Sequence, residues 1–472
     1  MSTYTERFIR FGAALVSVGM LLLLLVSPYW PLPPLSERAA AFILPSIKIT
    51  GQYLGIGLLG ALPLALLLGL PAGLRPGTRL NRALTLPFAL VAGIPIPVFA
   101  MLLFFPLSLR HNVLDMASLA KLITALVAAA WITPAIRDRV AEAAPGFMAK
   151  AVAVAGAILG QAGTLFVTVA VMEQFFPLGG GIFRLVTDGV RLKDFTLMLV
   201  GLTLFTAPVL LLHLAGDLLV TRSQGRTSAR PAGSTGWTIL GVLLTAALVG
   251  TALATFAEPV AVATAKLHPP GDGHLLGTDR QGRDLLAVLS LSVRNAIKHA
   301  SYGTYAAMII GAVLGGAGAA AGRWGRILLS PRVTFPALFG PFFVLMCSAL
   351  LVSGKTWVSA LLAGAICAPA LAPAVRQVVR AAAWPDRRRA LIAALGAGLL
   401  VFAQIMGAET AAYQFKTFDS GVGLYAVIGA TLQIKGAPYQ YWAIIIMAVG
   451  TAGPWLLGNS LMAAHEPEPE EA

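Results

Sequence analysis

Long apolar runs alternate with short polar and basic stretches along all 472 residues, and most runs have the length of a membrane crossing. Requiring about 20 predominantly apolar residues per crossing, the pattern predicts spans near 8–28, 52–74, 83–108, 116–136, 149–172 and 195–220. A second set falls near 237–257, 300–322, 332–352, 356–377, 390–409 and 439–462. The expected fold is therefore an all-α polytopic membrane protein of about 12 transmembrane helices, arranged as two pseudo-symmetric six-helix halves. The basic, Gly/Pro/Ser-containing run Thr221 to Pro231 separates them and reads as a flexible cytoplasmic linker. The expected divisions are an N-terminal half at 1–220, the linker at 221–236, a C-terminal half at 237–462 and a disordered acidic tail at 463–472.

One polar stretch breaks the alternation, His274 to Asp284. Thr278 and Gln281 have the spacing of a capping box, so a helix is expected to begin there. At 100° per residue, Leu286, Leu289, Val293, Ala296 and Ile297 fall on one side of that helix, and Arg283, Asp284, Arg294, Asn295, Lys298 and His299 on the other. Such a helix is expected to lie along a membrane surface or against other helices rather than to cross the lipid.

Composition sharpens this picture. Hydrophobic residues make up 57% of the chain and charged ones 11%, with a mean hydropathy of +0.81, which excludes an ordinary water-soluble domain. The net charge of +14 is spread in small basic groups between apolar runs. That is the arrangement of positive-inside topology rather than of a nucleic-acid surface. It places both termini in the cytoplasm, with Arg75/Arg79/Arg82, Arg137/Arg139/Lys150 and Arg376/Arg380/Arg387/Arg388/Arg389 in inner loops. The first apolar run lacks a convincing small-x-small cleavage site and reads as an uncleaved helix. Cys347 and Cys367 lie inside apolar runs and the six histidines are scattered, so neither a metal site nor another cofactor is expected. Ser353 to Thr356 has the tail of a phosphate-binding loop, but Ala349 stands where its first glycine belongs. No nucleotide-binding motif and no nucleophile with its base is found, so an enzyme is not expected.

The two sets of spans repeat each other. Glu173 is followed by an aromatic turn with Gly179 and Gly180, a short amphipathic run Ile182 to Val190, and an apolar run. Glu409 is followed by an aromatic turn with Gly421 and Gly423, the run Leu424 to Leu432, and an apolar run. The two carboxylates are either outer helix-end anchors or pathway and gate groups, because a carboxylate near lipid is expensive. Gln161 and Gln404, inside the fifth and eleventh runs, read as hydrogen-bonding glue between helices or as pathway lining.

The string Gly277-Thr278-Asp279-x-x-Gly282-Arg283-Asp284 resembles the signature of the C-type permease of dipeptide, oligopeptide and nickel ABC importers. The first half resembles the B-type partner through Met172-Glu173-Gln174-Phe175-Phe176-Pro177-Leu178-Gly179-Gly180, and Glu409 with Gly421-Val422-Gly423 matches the C-type pattern after a few inserted residues. The resemblance implies a type I ABC importer permease with both partners fused. It also implies a bacterial inner-membrane location, cytoplasmic ATPase subunits, an extracytoplasmic substrate-binding protein and surrounding lipid as partners, and no nucleic acid. Departures from the family lie in the inner loops that meet the ATPase. The first keeps Glu142-Ala143-Ala144, but the family's glycine falls at Met148 rather than Gly146, and Pro145 breaks a continuing helix; the second, Arg376 to Arg389, lacks the motif. An ATPase-independent or ion-coupled carrier and a non-transporting membrane scaffold are the alternatives.

Overall fold

The computed structural model describes residues 37–75, 96–110, 113–175, 180–223, 235–262, 266–271, 273–279, 281–321, 356–381, 383–412 and 441–465, with isolated positions elsewhere. Among the described residues the protein is all-helical. In chain order the helices are α1 (Glu37–Leu74), α2 (Ile96–Phe104, continued by one π-helical turn), α3 (Met116–Glu142), α4 (Phe147–Phe175), α5 (Ile182–Leu192) and α6 (Phe195–Ser223). They are followed by α7 (Thr235–Leu253), α8 (Leu285–Ala320), α9 (Thr356–Cys367), α10 (Ala372–Arg380), α11 (Trp384–Ala412) and α12 (Tyr441–His465).

Among the described residues, six stretches are long and apolar enough to cross a membrane: Ala41–Leu74, Ala117–Glu142, Phe195–Gly216, Leu285–Ala320, Trp384–Met406 and Trp442–Met462. The pair Ala360–Ala370 and Ala372–Arg380, bent by 54°, makes a seventh when taken as one broken span. Shorter apolar stretches, Val98–Ser108, Phe147–Gly163 and Trp237–Leu253, coincide with three more of the expected spans. The expected spans near 8–28 and 332–352 lie almost wholly outside the described residues, and 83–108 is described only in part.

Packing follows one order twice. Helix α1 lies on α3, α3 on α4, and α4 on α6; correspondingly α8 lies on α9 and α10, α10 on α11, and α11 on α12. Close approaches are made at glycines, where the missing Cβ lets backbones meet. A Cβ on Gly69 would fall 2.7 Å from the Thr133 carbonyl and 3.2 Å from Ile136 Cβ, and one on Gly73 2.7 Å from the Arg137 carbonyl and 2.8 Å from Val140 Cβ. On α8 the same pair recurs: Gly311 faces the Ala368 carbonyl at 3.1 Å and Leu371 Cβ at 2.8 Å, and Gly315 the Ala372 carbonyl at 2.7 Å and Val375 Cβ at 2.8 Å. Gly216 meets the Gly156 carbonyl at 2.8 Å, and Gly458 the Gly396 carbonyl at 2.7 Å. Gly69 and Gly311, Gly73 and Gly315, and Gly216 and Gly458 are each 242 positions apart.

The two sets share one core. Val98, Phe99 and Ala128 belong to the same buried cluster as Ala443, Ile444 and Met447. The indole of Trp131 meets that of Trp455 edge-on, with ring centroids 5.4 Å apart. Between α7 and α12 a groove of about 530 Å³, lined by Val242, Thr245, Val249, Leu253 and Leu457, has the apolar chemistry of a lipid-facing surface.

Two helix starts show how local chemistry sets the boundaries. Asp115 caps α3, accepting the Ser118 backbone N–H at 2.7 Å. The Ser118 hydroxyl and then its backbone N–H hold the Asp115 carboxyl below the usual carboxylate range. The expected start of a helix at Thr278 and Gln281 is corrected: α8 begins at Leu285, capped by Asp284. Of the two expected settings, a membrane surface or other helices, the second is seen, and residues 285–299 run on into the following apolar stretch as one helix of 36 residues, about 54 Å long at 1.5 Å per residue. Part of its polar face meets a neighbour, while Lys298 is exposed. Arg294 donates to the Ala252 and Thr255 carbonyls at 3.3 and 2.6 Å, at the end of α7, and lies 4.7 Å over the Phe256 ring.

Candidate functional site

The first polar cluster is built by three helices. Glu173, in the last turn of α4, is 6% exposed, a carboxyl enclosed by helices rather than open to solvent. Thr50 of α1 donates its hydroxyl proton to Glu173 Oε1 and accepts the Ile182 backbone N–H at 2.9 Å. The Phe183 backbone N–H donates to the same carboxyl group. Helix α5 begins after Gly181, which has no side chain with which to cap it. Two of its orphan N–H groups are thus satisfied by side chains from other helices. Glycine is required there: a Cβ on Gly181 would sit 1.9 Å from the Glu173 carboxyl. Gly180 takes the left-handed turn expected of it, at φ +88, while Gly179 lies outside the described residues.

Helix α5 is held along its length as well. Phe183, Val186 and Val190 pack with Phe166, Met198 and Phe205 in a second core cluster, and the rings of Phe183 and Phe205 are 5.5 Å apart. Tyr53, one turn beyond Thr50 on α1, is buried and within electrostatic range of Asp115 and Glu173. Sequence reasoning did not single out Thr50. Its only signal was a threonine inside an apolar stretch, which is common in membrane helices and names no partner.

The second cluster is the loop before α8. Thr278 is wholly buried; its hydroxyl accepts the His268 backbone N–H at 2.7 Å, and its own N–H donates to the His268 carbonyl at 2.9 Å. This is why Thr278 does not pair with Gln281 in a capping box. Asp279, 1% exposed, accepts the Gln281 N–H at 2.8 Å, the Arg283 N–H at 2.9 Å and Arg283 Nε at 2.7 Å. Gly282 has φ +76, and a Cβ on it would fall 1.8 Å from the Val262 carbonyl. That left-handed turn stops a helix from starting earlier. The Gly277 carbonyl accepts the Leu285 N–H at 3.0 Å. Asp284 Oδ1 accepts from Leu286 and Ala287, at 2.7 and 3.3 Å, while its Oδ2 lies 3.0 Å from His274 Nδ1. The six signature residues therefore lock one loop onto one helix start.

A prediction follows for the cap. Asp284→Ala should lower stability by about 1–2 kcal/mol, whereas Asp284→Asn, which still caps, should lose much less. Thermal unfolding in detergent reads the difference; equal losses would assign the effect to the His274 contact instead.

The remaining expected residues are not brought together. Gln161 is half-buried, and among the described residues its Oε1 has no hydrogen-bond partner, whereas Gln404 is exposed. Counted 242 positions on, the register of the glycine pairs, Gln161 falls at 403, beside Gln404, whereas Glu173 falls at 415, six positions after Glu409. Glu409 lies on the α11 backbone with its side chain outside the described residues, as are Gly421 and Gly423. Ser292, 242 positions after Thr50 on the corresponding helix, is 1% exposed, and its hydroxyl has no partner among the described residues. Glu142 is the last residue of α3 and pairs with Arg139 at 3.2 Å. Ala143, Ala144 and Gly146 belong to the short turn that leads into α4, and Phe147 and Met148 just beyond it are largely exposed. Only residues 381–383 separate α10 from α11.

Compared with known proteins, the chain matches no family model and no curated sequence.

Proposed function

We propose that this chain is the membrane permease of a peptide-type ABC importer, with two six-helix halves fused in one polypeptide of the bacterial inner membrane. The observation that carries the reading is that Gly69 and Gly73 meet a carbonyl and a Cβ of the neighbouring helix just as Gly311 and Gly315 do 242 positions on, the partner residues recurring in the same order 235 positions on. Unrelated packing has no reason to reuse carbonyl and Cβ partners in the same order. Paired bundles of this kind suit alternating access, in which the halves rock about a path at their interface. The signature loop before α8 adds to it, because its buried Thr278 and Asp279 give the motif a defined form. The cargo class is small peptides, amino-acid derivatives or a metal complex, handed over by an extracytoplasmic binding protein and driven by cytoplasmic ATPase subunits.

One observation favours a second reading, an ATPase-independent carrier derived from such a permease. Helix α3 stops at Glu142 and α4 starts at Phe147, and the corresponding connection between α10 and α11 is equally short. Neither connection has room for a separate helix that an ATPase would grip. Uptake by proteoliposomes decides between the two. The importer reading expects uptake only when an ATPase and ATP are present; the carrier reading expects the same uptake without them. No uptake of any of these cargo classes in either arm would sink both.

A further inference from the structure

We infer that Thr50 and Glu173 form a latch that keeps α5 docked while the Glu173 carboxyl carries a proton, so that undocking of α5 releases that proton. The inference goes beyond transport and does not depend on it. An ionised carboxylate has about four acceptor sites to fill. Here Oε1 receives the Thr50 hydroxyl, Phe183 supplies one backbone N–H, and Oε2 is buried with no partner among the described residues. A charge in that position would keep these two donors but leave Oε2 buried without one among the described residues, which is costly. The neutral acid costs less to bury than the anion, and its carbonyl oxygen, Oε1, still accepts the Thr50 hydroxyl proton.

The charges around the latch do not favour the anion. On α1, Lys48 is exposed and Tyr53 lies within electrostatic range of Glu173. Asp115, at the start of α3, brings a second acid within range of Tyr53. On α5, Arg184 is largely exposed and pairs with Asp188 at 3.1 Å. Before α6, Lys193 is exposed and Asp194 accepts the Leu197 N–H at 2.9 Å. Among the described residues none of these cations pairs with Glu173. The N-terminus of α5 does attract negative charge, and this is the opposing influence that an experiment must weigh.

Once α5 leaves, Glu173 meets water and behaves as an ordinary glutamate with a pKa of about 4.3. The docked form then binds one more proton than the undocked form at any pH between that value and its own. Docking is therefore strongest at low pH and weakens as pH rises, by about tenfold per pH unit within the window. Hydrogen–deuterium exchange of residues 182–192 in lipid nanodiscs, corrected for intrinsic exchange and run from about pH 5 to about pH 8, measures this directly. The wild type should lose protection as pH rises. Glu173→Gln, an uncharged mimic of the acid, should stay protected throughout, Thr50→Val should be unprotected at every pH, and Thr50→Ser should restore the wild-type profile. A wild type whose protection is flat or rises with pH overturns the inference, as does Glu173→Gln exchanging as fast as Thr50→Val. Should a variant fail to fold, the wild-type profile alone decides. No substrate or ATPase enters the measurement, so its failure leaves the transport reading standing.

Discussion

Asp279→Ala should destabilise the protein by about 3–5 kcal/mol, the range for removing one member of a buried ion pair. The carboxylate is 2% exposed and its Arg283 partner 16%, so solvent screens the pair little. Deleting the carboxylate also leaves the Gln281 and Arg283 backbone N–H groups without their acceptor. The loss comes mostly from the charge left behind, which makes a second result decisive. Asp279→Ala with Arg283→Leu should recover a large part of it, because no buried cation then remains. Unfolding in a graded mixture of denaturing and mild detergent supplies both values. A single mutant within about 1 kcal/mol of wild type, the level of an exposed pair, would mean that the loop opens to water and the lock described above does not hold.

Gly364→Ala should disturb the fold through volume rather than charge. A Cβ there would lie 1.9 Å from the Gly303 carbonyl oxygen and 2.7 Å from its carbon. Both obstacles are backbone, so no side chain can swing aside, and α8 and α9 must separate. Overpacking of this kind is expected to lose about 1–3 kcal/mol, with this site at the upper end. Gly316→Ala is the control on α8, since nothing lies within 4 Å of its Cβ position. It should be neutral or gain up to about 1 kcal/mol through helix propensity. Melting temperatures of the two variants measured side by side test the pair; a Gly364→Ala protein as stable as Gly316→Ala would refute the close crossing.

These two sites differ in how visible they were along the chain. Asp279 and Arg283 stood out as polar residues in a fixed string, and the string does form one structural unit. Its internal bonding was read wrongly, because the Thr278 hydroxyl is claimed by His268, ten positions back, and a capping-box pattern cannot register a competitor that distant. Gly303 and Gly364 were two among 49 glycines, with nothing local to show that they would meet.

The amino-acid sequence by itself determined that this is a helical, membrane-embedded chain, because apolar runs longer than a bilayer is thick leave few alternatives to helix. It also marked Glu173 and the glycines after it as a place of special chemistry. Only the tertiary structure decided what that carboxyl does. Thr50 lies 123 positions away and reaches Glu173 through the packing of α1 beside α4 and α5. Periodicity reports which face of a helix is apolar, whereas the partner of a buried polar atom is set by which helices lie side by side, and in a bundle where almost every face is apolar the local pattern carries little of that information.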